Sequence, residues 1–171
     1  GIVYPLQKQI KGKDDVFVTK TFPVYGNDPT VCLSGDYIDM VPDDKLKSVI
    51  YFESTPENIV DGGCGEQLTT TATLTLVAWF NLGKINKALR SGESMLRTLA
   101  RAVNGTYNFT IDGATVHAIF SITSFDFRSP AIFSKWSYQE PNKQYLIYPR
   151  DFGAIQFDVQ LTYELCDEEP D

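Results

Sequence analysis

The stretch LTTTATLTLVAWFNL, residues 68 to 82, decides the fold. From Thr69 onward, Thr71, Thr73, Thr75, Val77 and Trp79 occupy one parity, while Ala72, Leu74, Leu76, Ala78 and Phe80 occupy the other. Successive side chains of a strand point to opposite faces, so this spacing predicts a long strand with an apolar row on one face and a threonine-led row on the other. β-branched Thr and Val fit that assignment. The end of the chain repeats the pattern. In AIQFDVQLTYEL (154–165), Ile155, Phe157, Val159, Leu161, Tyr163 and Leu165 alternate with Gln156, Asp158, Gln160, Thr162 and Glu164. This is an antiparallel-type strand with one buried and one wet face.

Between these strands the period changes. In ESMLRTLARAV (93–103), Met95, Leu96, Leu99, Ala102 and Val103 fall on one helical face, with Ser91 as N-cap and Asn104-Gly105 as the stop. KINKALR (84–90) adds a turn or two before Ser91-Gly92 interrupts. YNFTI (107–111), Asp112-Gly113 and ATVHAIFSI (114–122) read as a hairpin, because Asp-Gly supplies the positive φ angles of a two-residue turn. SVIYFES (48–54) is a further strand that ends at Thr55-Pro56. His117, the sole histidine, shares a parity with Thr115, Ile119 and Ser121 and reads as a satisfied or solvated imidazole.

Two regions resist regular assignment. Residues 1–46 are punctuated by Pro5, Gly12, Pro23, Gly26, Asn27-Asp28-Pro29, Gly35 and Pro42, which predicts an irregular extended arm with room only for short strands such as 16–19. Residues 124–152 collect Phe125, Phe127, Phe133, Trp136, Tyr138, Tyr145, Tyr148 and Phe152 among prolines and charges. Their aromatics either fold back on the core or form an interface loop. The whole is α+β: a single domain with one twisted, mainly antiparallel sheet, one amphipathic helix on its apolar face and an N-terminal arm. Its parts are the arm (1–46), the strands, helix and hairpin (47–123), the aromatic excursion (124–152), and the closing strand with its acidic tail (153–171).

Composition narrows the function. The 171 residues carry a formal charge of −7. Gripping phosphate backbones requires clustered lysines and arginines, so the charge argues against tight nucleic-acid binding. An acidic surface still suits a conduit through which DNA slides without sticking. No apolar run approaches the roughly 20 residues that span a bilayer. Cys32, Cys64 and Cys166 are too scattered for a disulfide framework. No phosphate loop, GxSxG elbow, HExxH, paired CxxC or dinucleotide fingerprint is present, so no catalytic, cofactor-binding or metal-ligating residues are assigned, and the chain reads as a non-enzyme without cofactor. The interface candidates are the basic residues Lys84, Lys87, Arg90, Arg97 and Arg101, the aromatics Phe133, Trp136, Tyr138, Tyr145 and Tyr148, and the acidic tail Asp167, Glu168 and Glu169. In a ring, one subunit's tail could meet the next subunit's helix.

GCGEQ (63–67) resembles the internal thioester of complement and α-macroglobulin proteins, in which Cys64 would be the acyl acceptor sulfur and Gln67 the acyl donor. In that family the motif lies in a large helical domain and is followed by a helix. Here a strand follows, so the five residues read as a Gly-rich turn with a cysteine at its edge.

The order arm, strand, long strand, helix, hairpin, excursion and long strand resembles the tail-terminator and neck (head-tail connector) ring proteins of tailed bacteriophages. The residues that carry the resemblance are TLTLVAWFNLGKI (73–85), ESMLRTLARAV and FGAIQFDVQLTYEL (152–165). It implies a structural virion protein, assembled in the host cytoplasm as a closed ring of identical subunits between portal or adaptor and tail tube. DNA would only transit, and no membrane would be involved. The alternative is an extracellular binding module, a glycan or adhesin domain that uses the aromatics of 125–148 as a stacking platform. The sequons Asn104-Gly105-Thr106 and Asn108-Phe109-Thr110 favour it.

Overall fold

A computed structural model describes residues 1–11, 16–26, 38–54, 58–60, 68–111, 114–137 and 146–164. The long alternating segments form β6 (Leu68–Asn81) and β9 (Arg150–Glu164). They pair antiparallel along their whole length, from Leu68 opposite Tyr163 to Asn81 opposite Arg150. β4 (Ser48–Ser54) and the short β5 (Asn58–Val60) lie beside β6. The hairpin of β7 (Gly105–Ile111) and β8 (Ala114–Phe127) continues the sheet beyond β9, giving the order β4-β6-β9-β8-β7. Ile111 pairs with Ala114, the register expected of a two-residue connection, although Asp112 and Gly113 themselves lie outside the described residues.

One face of this sheet is covered as expected. α2 (Glu93–Val103) lays Leu96 and Ala100 onto Leu76, Ala78 and Phe80 of β6 and Ile155, Phe157 and Val159 of β9. Burying each large side chain contributes about 1.5–3 kcal/mol. The helix comes this close because position 153 has no side chain: a Cβ on Gly153 would lie 2.4 Å from Leu96 Cδ2. The segment after β6 is a single turn, α1 (Leu82–Ile85). Gly92, not Ser91, occupies the N-cap position of α2, and the Ser91 hydroxyl accepts from Glu93 N at 3.2 Å.

The opposite face corrects two expectations. The first concerns the arm, which is not irregular where it is described. β1 (Tyr4–Lys11), β2 (Phe17–Tyr25) and β3 (Ile38–Asp39) make a second antiparallel sheet, so the fold has two sheets. Pro5 and Pro23 suggested interruption, yet the ladder pairs them with each other. Neither has an N–H to donate, so both fall at the kind of antiparallel position that requires none. The second concerns the threonine-led row, which is wet over only part of its length. At the β4 end, Val77 and Trp79 join Val49, Tyr51, Phe152 and Ala154 in a second core cluster. Val3, Phe133 and Trp136 close that cluster, with Phe22, Met40 and Val41 packed against it. β6 is therefore buried on both faces at one end and on one face at the other.

Candidate functional site

Where the second sheet stops, the same face of the large sheet becomes polar. It presents Thr71, Thr73 and Thr75 from β6, Gln156, Asp158 and Gln160 from β9, Thr115, His117 and Ser121 from β8, and Thr106, Asn108 and Thr110 from β7. Ile119, 43% exposed, stands among them between Thr106 and Gln160; none of these positions is Lys or Arg, and their one acid is Asp158, with Glu53 and Asp126 farther along the same face. The alternation that sends Leu74, Leu76, Phe157 and Val159 towards α2 forces their neighbours outward, so the polar face is the obligate reverse of the helix-covered core. His117 Nδ1 lies 2.7 Å from Asn108 Oδ1, and Asn104 Oδ1 accepts from Ile122 N at 3.2 Å. Both sequon asparagines are thus engaged within the sheet.

The sheet's edges differ from one another. At β4, the first residues of the chain close the ladder: Val3 N donates to Phe52 O at 2.8 Å and Phe52 N donates to Gly1 O at 3.0 Å. Beyond the end of β7, the margin of β8 carries a bulge between Ile122 and Ser124 and a charge at Asp126. Bulges and charges at an edge block pairing with another chain. β7 has neither. It is GTYNFTI, without charge or proline, exposed from Thr106 to Ile111, and no described strand lies on its outer side. Tyr107, Phe109 and Ile111 stand on the α2 side, each about two-fifths to one-half exposed.

The sequence-derived interface residues are dispersed. Lys84, Lys87 and Arg90 are exposed around and after α1, and Arg90 Nη1 donates to Tyr148 Oη at 2.9 Å, which brings two candidates together. Arg97 pairs with Glu93 at 2.7 Å and lies over the Phe125 ring, so its charge is already engaged within the chain, while Arg101 is exposed. Phe133 and Trp136 correct the expectation of a surface anchor, because both are buried. Trp136 Nε1 donates to Glu53 Oε1 at 2.9 Å, and Lys135 also pairs with Glu53. The core takes these rings because Trp79, Tyr51 and Phe152 leave an apolar surface on this face of the sheet. Tyr138, Tyr145, Asp167, Glu168, Glu169 and all of GCGEQ lie outside the described residues, as do the three cysteines.

Reading the sequence missed one buried polar centre. Asp151, 1% exposed, accepts from Gly92 N at 2.7 Å, Arg128 Nε at 2.7 Å, Arg128 Nη2 at 2.9 Å and Phe152 N at 3.1 Å. Its hydrogen bond to Asp151 raises the pKa of Arg128 above the ordinary value. With its acceptor positions filled, this carboxylate anchors the start of α2 to β9 and is not placed to take a proton from a substrate. A signal was present: Asp151 has the same parity as Ile155 and Phe157.

A recess of about 290 Å³ lies between the sheet and the 130–134 segment, lined by Glu53, Thr75, Asp126, Ser134, Lys135 and Gln156. Glu53 is tied to Lys135 and Trp136, so the recess does not hold a free carboxylate pair of the kind acid–base chemistry uses. Among the described residues no three His, Cys, Asp or Glu side chains cluster to hold a metal ion, and no helix is long and apolar enough to cross a membrane. No protein-family model matches the chain, and no curated protein matches it.

Proposed function

We propose that this chain is a structural virion subunit that builds a closed ring at the neck or tail of a tailed bacteriophage, with its polar sheet face towards the bore through which DNA passes. The observation that carries this reading is the broad sheet face without a cation, on a chain of net charge −7. Retaining DNA requires lysines and arginines that displace counterions; no strand position named on that face supplies one, and Lys135 beside it is paired with Glu53. Two further features support assembly: the open, uncharged edge at β7, and exposed Val16, Phe17 and Val18 at one end of the β1–β2 hairpin. An exposed apolar edge of this kind is a template for pairing with another chain. The alternative glycan platform loses its central anchor, because Trp136 is buried.

Native mass spectrometry over a concentration series, paired with a filter-binding assay on duplex DNA, tests the reading. The expected result is a closed oligomer of defined copy number that does not retain DNA at physiological salt. A chain that never exceeds a dimer at any concentration, or that binds duplex DNA with a steep salt dependence, overturns it.

A further inference from the structure

We infer that the free chain pairs with a second copy of itself through β7, edge to edge and antiparallel, about a two-fold axis at Asn108. Among the described margins of the large sheet, β7 is the one full-length strand without a protecting device, since β5 spans only three residues, and a very short edge strand is itself a poor template. β4 is closed at Phe52 by Val3 and Gly1, and the margin of β8 carries a bulge and Asp126. The sequence of β7 is complementary to itself when centred on Asn108. Tyr107 then lies opposite Phe109 twice on the α2 side, Thr106 lies opposite Thr110 twice on the polar side, and Gly105 faces Ile111. Aromatic and Thr–Thr pairs are favourable cross-strand neighbours. The donors and acceptors match whichever alternation points outward, because a two-fold axis of an antiparallel ladder can pass through either kind of residue pair.

Charge selects this edge too. Two copies of a chain carrying −7 repel, and a symmetric contact sets each charged residue near its own kind. β7 has no charged residue, whereas symmetric pairing at β4 or along the free part of β8 would gather Glu53 or Asp126 at the seam. The strand is also held ready. Tyr107 Oη donates to Ala102 O at 2.8 Å and its ring meets Phe120 edge-on at 5.6 Å, so the row that would cross the seam is already ordered by α2 and β8. The partner is therefore a second copy of this chain, and the pairing does not depend on the ring reading. A polar ring has no two-fold axis across its plane, so the pair is the form at low concentration and opens as subunits assemble into the ring.

The test is Asn108→Cys in a background where Cys32, Cys64 and Cys166 are Ser, oxidised under mild conditions, alongside sedimentation of Phe109→Lys and Phe109→Thr. The expected results are a disulfide-linked dimer of Asn108→Cys and a dissociation constant raised by roughly tenfold or more in both Phe109 variants. Phe17→Lys, on the other sheet, should leave the dimer intact. Circular dichroism identifies a variant that fails to fold, and Phe109→Thr then decides, since Thr suits an exposed strand. A parent that is monomeric into the millimolar range, or a dimer that survives both Phe109 substitutions, overturns the inference. A parent that forms closed rings at high concentration, but whose Asn108→Cys variant gives no cross-linked dimer below the concentration at which the ring appears, refutes it while leaving the ring standing. An Asn108→Cys dimer that cross-links, together with a parent that never grows beyond a dimer, supports it and refutes the ring.

Discussion

Replacing Asp151 by alanine should be among the most damaging single changes in the chain, and the structure says how damaging. The carboxylate is 1% exposed and accepts from two buried backbone groups, Gly92 N at 2.7 Å and Phe152 N at 3.1 Å, as well as from Arg128. Alanine leaves those two N–H groups without an acceptor, at about 1–3 kcal/mol each. The Arg128 side chain is 53% exposed and can turn to water, so losing the ion pair adds about 1 kcal/mol or less. The total is about 2–7 kcal/mol for Asp151→Ala. Asp151→Asn keeps one acceptor and should cost about half of that, and Arg128→Ala about 1 kcal/mol. Urea unfolding followed by fluorescence of the buried Trp79 and Trp136 reads this as a fall in midpoint at unchanged slope. An Asp151→Ala protein within roughly 0.5 kcal/mol of the parent would refute the reasoning. So would an Arg128→Ala loss as large as that of Asp151→Ala, which would assign the energy to the ion pair instead of the backbone. Folding raises the pKa of Arg128, so its stabilising contribution is fully present below the ordinary arginine value and lost only as pH climbs beyond it. Arg128 therefore adds no slope to stability between neutral and moderately alkaline pH.

Gly153→Ala places a Cβ 2.4 Å from Leu96 Cδ2 and 3.0 Å from Asp126 O, and the carbonyl cannot step aside. The expected cost is about 1–3 kcal/mol, read as a melting temperature lower by about 3–10 °C; an unchanged value would mean that α2 rides freely over β9. Arg97→Ala removes an exposed i,i+4 pair with Glu93 and should change stability by less than about 0.5 kcal/mol in the same scan.

Periodicity made the main sheet legible. The expected strand at 48–54 and helix at 93–103 match β4 and α2, and the long alternations match β6 and β9, because burial on one face leaves a period of two or 3.6 in the chain itself. β1 and β2 were not legible. Their prolines look like breakers until the register sets Pro5 opposite Pro23, and no local pattern reports a register. Phe133 and Trp136 could be read either as core residues or as interface anchors because their segment has no period, and only the apolar half-face around Trp79 shows where they pack.

The candidate site divides in the same way. Alternation alone determined that Thr71, Thr73, Gln156, Asp158 and Gln160 stand opposite the core, and composition alone determined that the chain is acidic. Only the tertiary structure decided that Val77 and Trp79, on the same parity as those threonines, are buried under a second sheet. Only strand order decided that β7 is an open edge and that the chain's first residues close β4. The physical reason is one of range. The side of a strand on which a residue points is set by its immediate neighbours, whereas what covers that side, and which strand is outermost, depends on segments far apart in the chain.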